Sequence, residues 1–334
     1  MKPRASDRDS DGNATSGRSP WSRRRSRPLP LALGLAVAAA LMVVGAACGS
    51  SGSPTQPTAT VTVTAPPVTA SPSATPSAAP SASGTATTTL SVYFVRPIGG
   101  TQPAHGPFIA AAHRTLPTTT APATAAMRAL LAGPSGQERS IGMATVVPSG
   151  TRLLGLTISG GVATVDLSGA FSSGGGSLSM TGRLAQVVYT LTQFPAVRKG
   201  VVFKVDGKPV TVFGGEGIML TKPQKRSDYE SLTPPIFIDS PAPFDSVTGP
   251  VTAMGTANVF EATFQAKLVD AAGKTISTKT VTATSGSGTR GTFSFTLPLT
   301  GSATANAVSL LVWDASAENG SRLHTVSIPL KVAQ

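Results

Sequence analysis

The sequence predicts an α+β domain followed by an all-β sandwich, carried behind an export signal and a long tether. Three observations carry this. Composition changes abruptly at Leu90, from a tract of Ser, Thr, Pro, Ala and Gly to alternating apolar residues. Residues 90–221 then order as strand, helix, hairpin, helix, hairpin, and residues 235–334 read as short strands only.

The first 27 residues carry eight Lys/Arg against three Asp, a net +5 of the chain's +12. Leu31 to Ala47 is an uninterrupted apolar or small-residue run, slightly short for a membrane span of roughly 20 residues. A basic start, an apolar middle and Gly45-Ala46-Ala47 before a cysteine make an export signal over 1–47. "GAAC", Gly45 to Cys48, resembles a bacterial lipobox, with Gly45 where the usual pattern has an aliphatic residue. Cys48 is the only cysteine and cannot form an internal disulfide, so lipidation explains it. The expected product is an acylated Cys48, carrying diacylglycerol and a further chain such as palmitate, which suffices for stable anchoring. A non-lipidated signal or an uncleaved N-terminal anchor is the alternative.

From Cys48 to residue 89 the chain is a Ser/Thr/Pro/Ala-rich linker that has too few apolar groups to bury a core. Its prolines stiffen it, so it spans on the order of 40 Å as coil to 120 Å as polyproline II. Such a tether suits a domain held away from a membrane surface.

In the α+β domain, "LSVYFV" (Leu90 to Val95) reads as a strand and "TAAMRALLAGP" as a helix stopped by Gly133-Pro134. The segment between them, "TQPAHGPFIAAAHRTLP", reads as the least regular part of the domain. Two hairpins are marked by Gly160-Gly161 and Asp206-Gly207, turn pairs that admit positive φ. A second helix over Met180 to Gln193 is read from Leu184, Val187, Val188 and Leu191 at helical spacing, ended by Pro195. Residues 222–234, charged and ending in proline, read as a connector.

Beyond it come "IFID", "VTAMGTA", "ATFQAKLVD", "KTVTATS", "TFSFTL", "VSLLVWD" and "HTVSIPLKV", separated by Gly, Pro, Asn or Asp. Seven such strands in about a hundred residues point to an immunoglobulin-like sandwich. Trp313 is expected in its core, and without a second cysteine there is no inter-sheet disulfide.

"AMRALLAGP", "VVPSGTRLLGLTISGGVATVDLSGAF" and "AQVVYTLTQFPAVRKGVVFKVDGKPV" resemble the GerM-type (GerMN) domain of spore-germination and sporulation proteins and of actinobacterial envelope lipoproteins. "PPIFIDSPAPFDSVTGPVTAMGTANVFEATFQAKLVDAAGK" resembles the germination-associated (Gmad-type) immunoglobulin-like domain that often follows it. The resemblance implies an α+β fold related to ring-building modules of secretion complexes, then a sandwich, on an exported lipoprotein. It supplies no catalytic residue and no cofactor.

The reactive side chains point the same way. The three histidines are His105, His113 and His324, and no H-E-x-x-H, G-x-S-x-G or S-x-x-K is present. "GSGTRG", Gly286 to Gly291, fits G-x-G-x-x-G but lies between two strands, whereas a dinucleotide site needs a strand before and a helix after; a flexible inter-strand loop explains it better. His105 and His113 stand eight residues apart with no nearby carboxylate, and read as surface or packing residues rather than metal ligands. Asp166, Asp206 and Glu261 match family positions; Asp206 is explained by its turn, and hydrogen bonds that stabilise the fold are the default for the others. The Gly174-Gly175-Gly176 loop is considered as an anion cradle, though no lysine follows it.

No catalytic, metal or cofactor site is therefore expected, and Cys48 is the one residue assigned a role. The 19 Lys/Arg and 12 Asp/Glu after Cys48 are spread out and aromatics are 5%, which argues against nucleic acid. The expected protein is a non-enzymatic, lipid-anchored module on the extracytoplasmic face of the cell membrane that binds envelope proteins or wall polymer. Self-association follows from the resemblance to ring-building modules. A peptidoglycan-directed hydrolase using Asp166 and the His105–His113 segment is the alternative.

Overall fold

The computed structural model describes residues 86–99, 107–215, 217–299 and 307–333. The signal region, Cys48, the linker up to residue 85 and His105 lie outside the described residues.

The chain opens with two ten-residue strands, β1 (Thr87–Arg96) and β2 (Phe108–Pro117), paired antiparallel from Thr87↔Pro117 to Arg96↔Phe108. β2 corrects the reading of this stretch as irregular. Its Ala110-Ala111-Ala112 run has low strand propensity, yet pairing along the whole of β1 and burial of Ile109, Ala111 and Ala112 override that preference. Then come α1 (Pro122–Leu131), with Pro122 in its first turn, and a short helix α2 (Gly136–Ser140) that the sequence reading did not identify.

The hairpin β3 (Leu153–Ser159) and β4 (Val162–Leu167) turns at Gly160 and Gly161, both at positive φ as their sequence requires. From β4 the chain crosses through α3 (Ser177–Leu191) to β5 (Gly200–Val205), which pairs parallel to β4. After the Asp206-Gly207 turn, β6 (Lys208–Pro209) pairs with β5 for two residues only. Val210 N donates once more to Phe203 O at 3.0 Å, and the chain then leaves to form a separate ribbon of β7 (Val212–Phe213) and β8 (Ile218–Met219). The core joins α1 and α3 to β1 through Val92, Phe94, Met127, Leu130, Leu184 and Val188.

The rest of the chain is a sandwich. Its strands are β9 (Ile236–Ser240), β10 (Ser246–Val247), β11 (Val251–Ala257), β12 (Thr263–Asp270), β13 (Thr275–Thr282), β14 (Gly291–Leu297), β15 (Ala307–Ala315) and β16 (Arg322–Val332). Among the described residues one sheet runs β10-β16-β15-β12-β13 and the other β14-β11-β9. All seven strands read from the sequence are present, and Phe264, Phe293 and Phe295 meet between the sheets at ring-centroid distances of 4.8 to 6.2 Å.

Trp313 is not in that core. Val308, Leu310 and Val312 occupy the inward positions of β15, so Trp313 faces out opposite Gln265. There the Arg322 guanidinium lies 4.2 Å from its ring centroid and the Lys267 ammonium 5.7 Å. Trp313→Ala is therefore expected to cost about 1 kcal/mol, the scale of a half-exposed cation–π contact, rather than the ~3–5 kcal/mol of a core tryptophan. Urea unfolding of the two proteins checks this.

Candidate functional site

The two domains meet along a junction built from charged side chains that reach across it. At its centre is Arg226, in the turn before β9. Its guanidinium lies between two rings, 5.0 Å from the centroid of Tyr93 on β1 and 4.7 Å from that of Tyr189 on α3. It donates to Tyr93 Oη (3.0 Å), the Tyr189 carbonyl (3.1 Å) and Thr192 Oγ1 (3.0 Å). Tyr93 Oη in turn donates to Asp239 Oδ1 on β9 at 2.6 Å, so one cation, one phenol and one carboxylate link both domains. Burial, with Asp239 beside it, pushes the Tyr93 phenol far above its ordinary range, so it stays a donor. For Arg226, burial opposes the charge, but Tyr93 and Asp239 more than offset it and keep the cation firmly protonated.

Two further contacts flank this one. Arg290 donates from Nε to both carboxylate oxygens of Glu230 at 2.9 Å and from Nη2 to the Pro234 carbonyl at 3.1 Å. Arg290 belongs to the "GSGTRG" loop, which is an inter-strand loop as expected but a packed one. A Cβ on Gly291 would stand 2.2 Å from Ser285 N, so glycine is needed there for backbone approach and not for a phosphate. On the other flank Arg96 Nη1 donates to the Ser327 carbonyl of β16 at 2.8 Å, and Gly99 N to Thr325 O at 3.2 Å.

Among the described residues, two hollows lie at the junction. One, of about 170 Å³, is apolar and lined by Ile109, Ala111, Ile236, Ile238, Val326 and Ile328 among others. The other is a polar cleft of about 510 Å³ lined from the first domain by Thr89, His113, Thr115, Ser135 and Gln137, and from the second by Phe244 and Asp245. His113 Nδ1 and Asp245 Oδ2 are 2.7 Å apart across it. A carboxylate can only accept, so Nδ1 donates, and in the neutral ring Nε2 is then an acceptor. Asp245 Oδ2 also accepts from Ala242 N at 2.8 Å. Beside them Arg114 donates from Nη1 and Nη2 to the two oxygens of Glu138 at 2.6 and 2.7 Å. Glu138 is 4% exposed and caps α2 reciprocally with Ser135.

The structure separates the other sequence candidates. Asp166 Oδ1 accepts from Gly207 N and Asp206 Oδ1 from Gly169 N, each at 3.0 Å, so the two carboxylates tie the β5–β6 turn to the end of β4. His324 Nδ1 pairs with the buried Asp314 at 2.8 Å within the sandwich. Glu261 sits at φ 53° in a tight turn, its N–H donating to Ser287 Oγ. The Gly174 loop is no anion cradle. The carbonyls of Phe171, Ser173 and Gly174 accept from the buried Arg183, so the turn presents acceptors to a cation. Sequence reading missed Arg226, Asp239, Arg290 and Glu230; the Ser135-x-x-Glu138 capping spacing was legible but unread.

Two stretches of the chain match known domain families. Residues 91–211 match the Germane family, described as sporulation and spore germination, and residues 235–321 match Gmad2, the immunoglobulin-like domain of bacterial spore germination. The chain carries a Germane domain followed by a Gmad2 domain. Similar solved structures include a candidate lipoprotein from Clostridium perfringens, at 25% identity and TM-score 0.30 over 42% of this chain and 89% of that one. The first GerMN domain of the sporulation protein GerM from Bacillus subtilis is similar at 19% identity and TM-score 0.34, over 42% of this chain and 99% of that one. The tandem GerMN domains of the same protein give 14% identity and TM-score 0.36, over 65% of this chain and 63% of that one. No curated protein matches the sequence. Neither description of the Germane or the Gmad2 family names a reaction.

Proposed function

We propose that this protein is a lipid-anchored component of the cell envelope, on the extracytoplasmic face, that works without catalysis as a binding or scaffolding module. Its ligands are envelope proteins or wall polymer, and its Germane domain also self-associates. The observation that carries this reading is the junction. Arg226, Arg290, Arg96 and His113 each reach a partner across or beside it, which supports one rigid body presenting a cleft. Asp166, the acid that a hydrolase would need, is instead engaged by Gly207 N. The anchor rests on the sequence, with an apolar run ending in Cys48 and a tether long enough to hold the domains off the membrane.

In-cell cross-linking of the full-length protein, followed by mass spectrometry, tests the module. One dominant protein partner, the protein itself, or retention on purified wall supports it; attachment to nothing sinks it. Cys48→Ala is expected to release the protein from the membrane fraction or leave it unprocessed. A processed, membrane-bound variant would overturn the anchor.

A further inference from the structure

We propose that the polar cleft between the Germane and Gmad2 domains binds an uncharged, hydroxyl-rich saccharide segment. This rests on the binding-module reading and names the ligand chemistry of that same site. At about 510 Å³ the cleft lies within the usual range for small-ligand sites, and it occupies a domain boundary, where such sites concentrate.

Its lining alternates hydroxyls, an amide and an imidazole. Thr89 and Thr115 stand side by side on β1 and β2 with their hydroxyl oxygens 3.4 Å apart. Ser135 Oγ accepts from Glu138 N and keeps its own proton to donate. The Gln137 amide stands at an exposed position with its NH2 group as donor, while its Oε1 accepts from Lys331 Nζ at 3.4 Å and keeps a second lone pair. These groups match a ligand whose own groups both donate and accept.

Charge argues in the same direction. Among the described lining residues Glu138 takes both ends of the Arg114 cation, and Asp245 accepts from His113 Nδ1. An ionic ligand would have to compete with those pairs, whereas a neutral one need not. The lining also includes one aromatic ring. Phe244 is half-buried and held at φ 69° by a hydrogen bond from its N–H to Pro329 O at 2.6 Å. A left-handed φ is costly for a bulky residue, and such strain persists where the surrounding structure enforces it, often at ligand sites. A ring beside polar groups is what the C–H face of a pyranose needs for dispersion contact while its hydroxyls bond outward.

The test is isothermal titration of the full-length protein with a β-1,4-linked N-acetylglucosamine tetramer, alongside retention on purified peptidoglycan. Saturable binding is expected, insensitive to added salt because no charge pairing is involved. Gln137→Ala and Phe244→Ala should each weaken it about tenfold, the scale of one lost polar or packing contact. Lys279→Ala, an exposed position outside the cleft, should leave it unchanged. Unfolding midpoints of the exposed-site variants should match the parent, which separates lost binding from lost folding. Absence of saturable binding, equal affinity in all variants, or preference for a charged glycan over the tetramer would overturn the proposal. If cross-linking to a protein partner persists in the cleft variants while the tetramer does not bind, the saccharide assignment fails and the wider binding reading stands.

Discussion

Arg226→Ala is expected to lower the unfolding free energy by about 3 kcal/mol and to split the urea transition in two. The side chain lies against two aromatic rings, at 5.0 and 4.7 Å, each such contact contributing ~0.5–2 kcal/mol according to its desolvation. It also makes hydrogen bonds to Tyr93, Tyr189 and Thr192, and bonds to a charged group contribute ~1.5–3 kcal/mol. The ion pair with Asp239 adds little, since it is 3.7 Å long and its side chains are 30% and 37% exposed. These terms share one side chain and cannot simply be added, so a total near 3 kcal/mol is the reasonable scale. Arg226→Lys should recover less than half, because an ammonium keeps the charge but not the flat fork that lies between two rings. The split arises because Arg226 ties the Tyr93–Asp239 bond, which spans both domains, to α3. A single transition with an unchanged slope in Arg226→Ala would show that the domains unfold together without it.

How much of this was legible in the sequence depends on the range of the signal. The strands of the sandwich are legible because burial alternates with period two, as in β14, where Phe293, Phe295 and Leu297 point inward and Ser294 and Thr296 outward. The Gly160-Gly161 and Asp206-Gly207 turns are legible because few residues adopt positive φ. β2 was not, since an alanine run carries almost no strand preference and only pairing with β1 decides it. Trp313 was misplaced because its size suggested a core residue, whereas the period-two burial of Val308, Leu310 and Val312 along β15 puts it on the outer face. The Gly174 loop shows the limit of composition, since the same glycines can present N–H groups or carbonyls, and here they present carbonyls to Arg183. Least legible were the junction contacts. Tyr93 and Asp239 are 146 residues apart and Arg290 and Glu230 are 60 apart, and no local pattern marks such pairs.

Glu138→Ala is expected to be the costliest change near the cleft, at about 4 kcal/mol. Its side chain is 5% exposed and that of its partner Arg114 is 19% exposed, and removing one member of a buried pair typically costs ~3–5 kcal/mol because the other charge stays behind. Arg114 would retain its bond to the His113 carbonyl and its position 5.5 Å from the Phe94 ring, which offset part of that. The α2 cap is lost as well, since Glu138 Oε2 accepts from Ser135 N at 2.6 Å. Acid titration gives an independent reading of the same pair. Burial pushes the Glu138 carboxyl up, but the bonds from Arg114 and Ser135 more than reverse this and hold it below the ordinary carboxylate value. A carboxyl depressed in the folded state releases its proton more readily there than in the unfolded chain. Its stabilisation is therefore complete above the unfolded value of about 4.3 and is lost as pH falls through the lower folded value. The gap between the parent and Glu138→Ala should be full near neutrality and begin to close only as pH falls below about 4.3, toward the lower folded value. A constant gap across that range would mean that the loss is packing rather than charge. Because Ser135 and Gln137 precede Glu138 within the α2 cap and line the cleft, the same substitution should also abolish saccharide binding, whereas Gln137→Ala should weaken binding at unchanged stability.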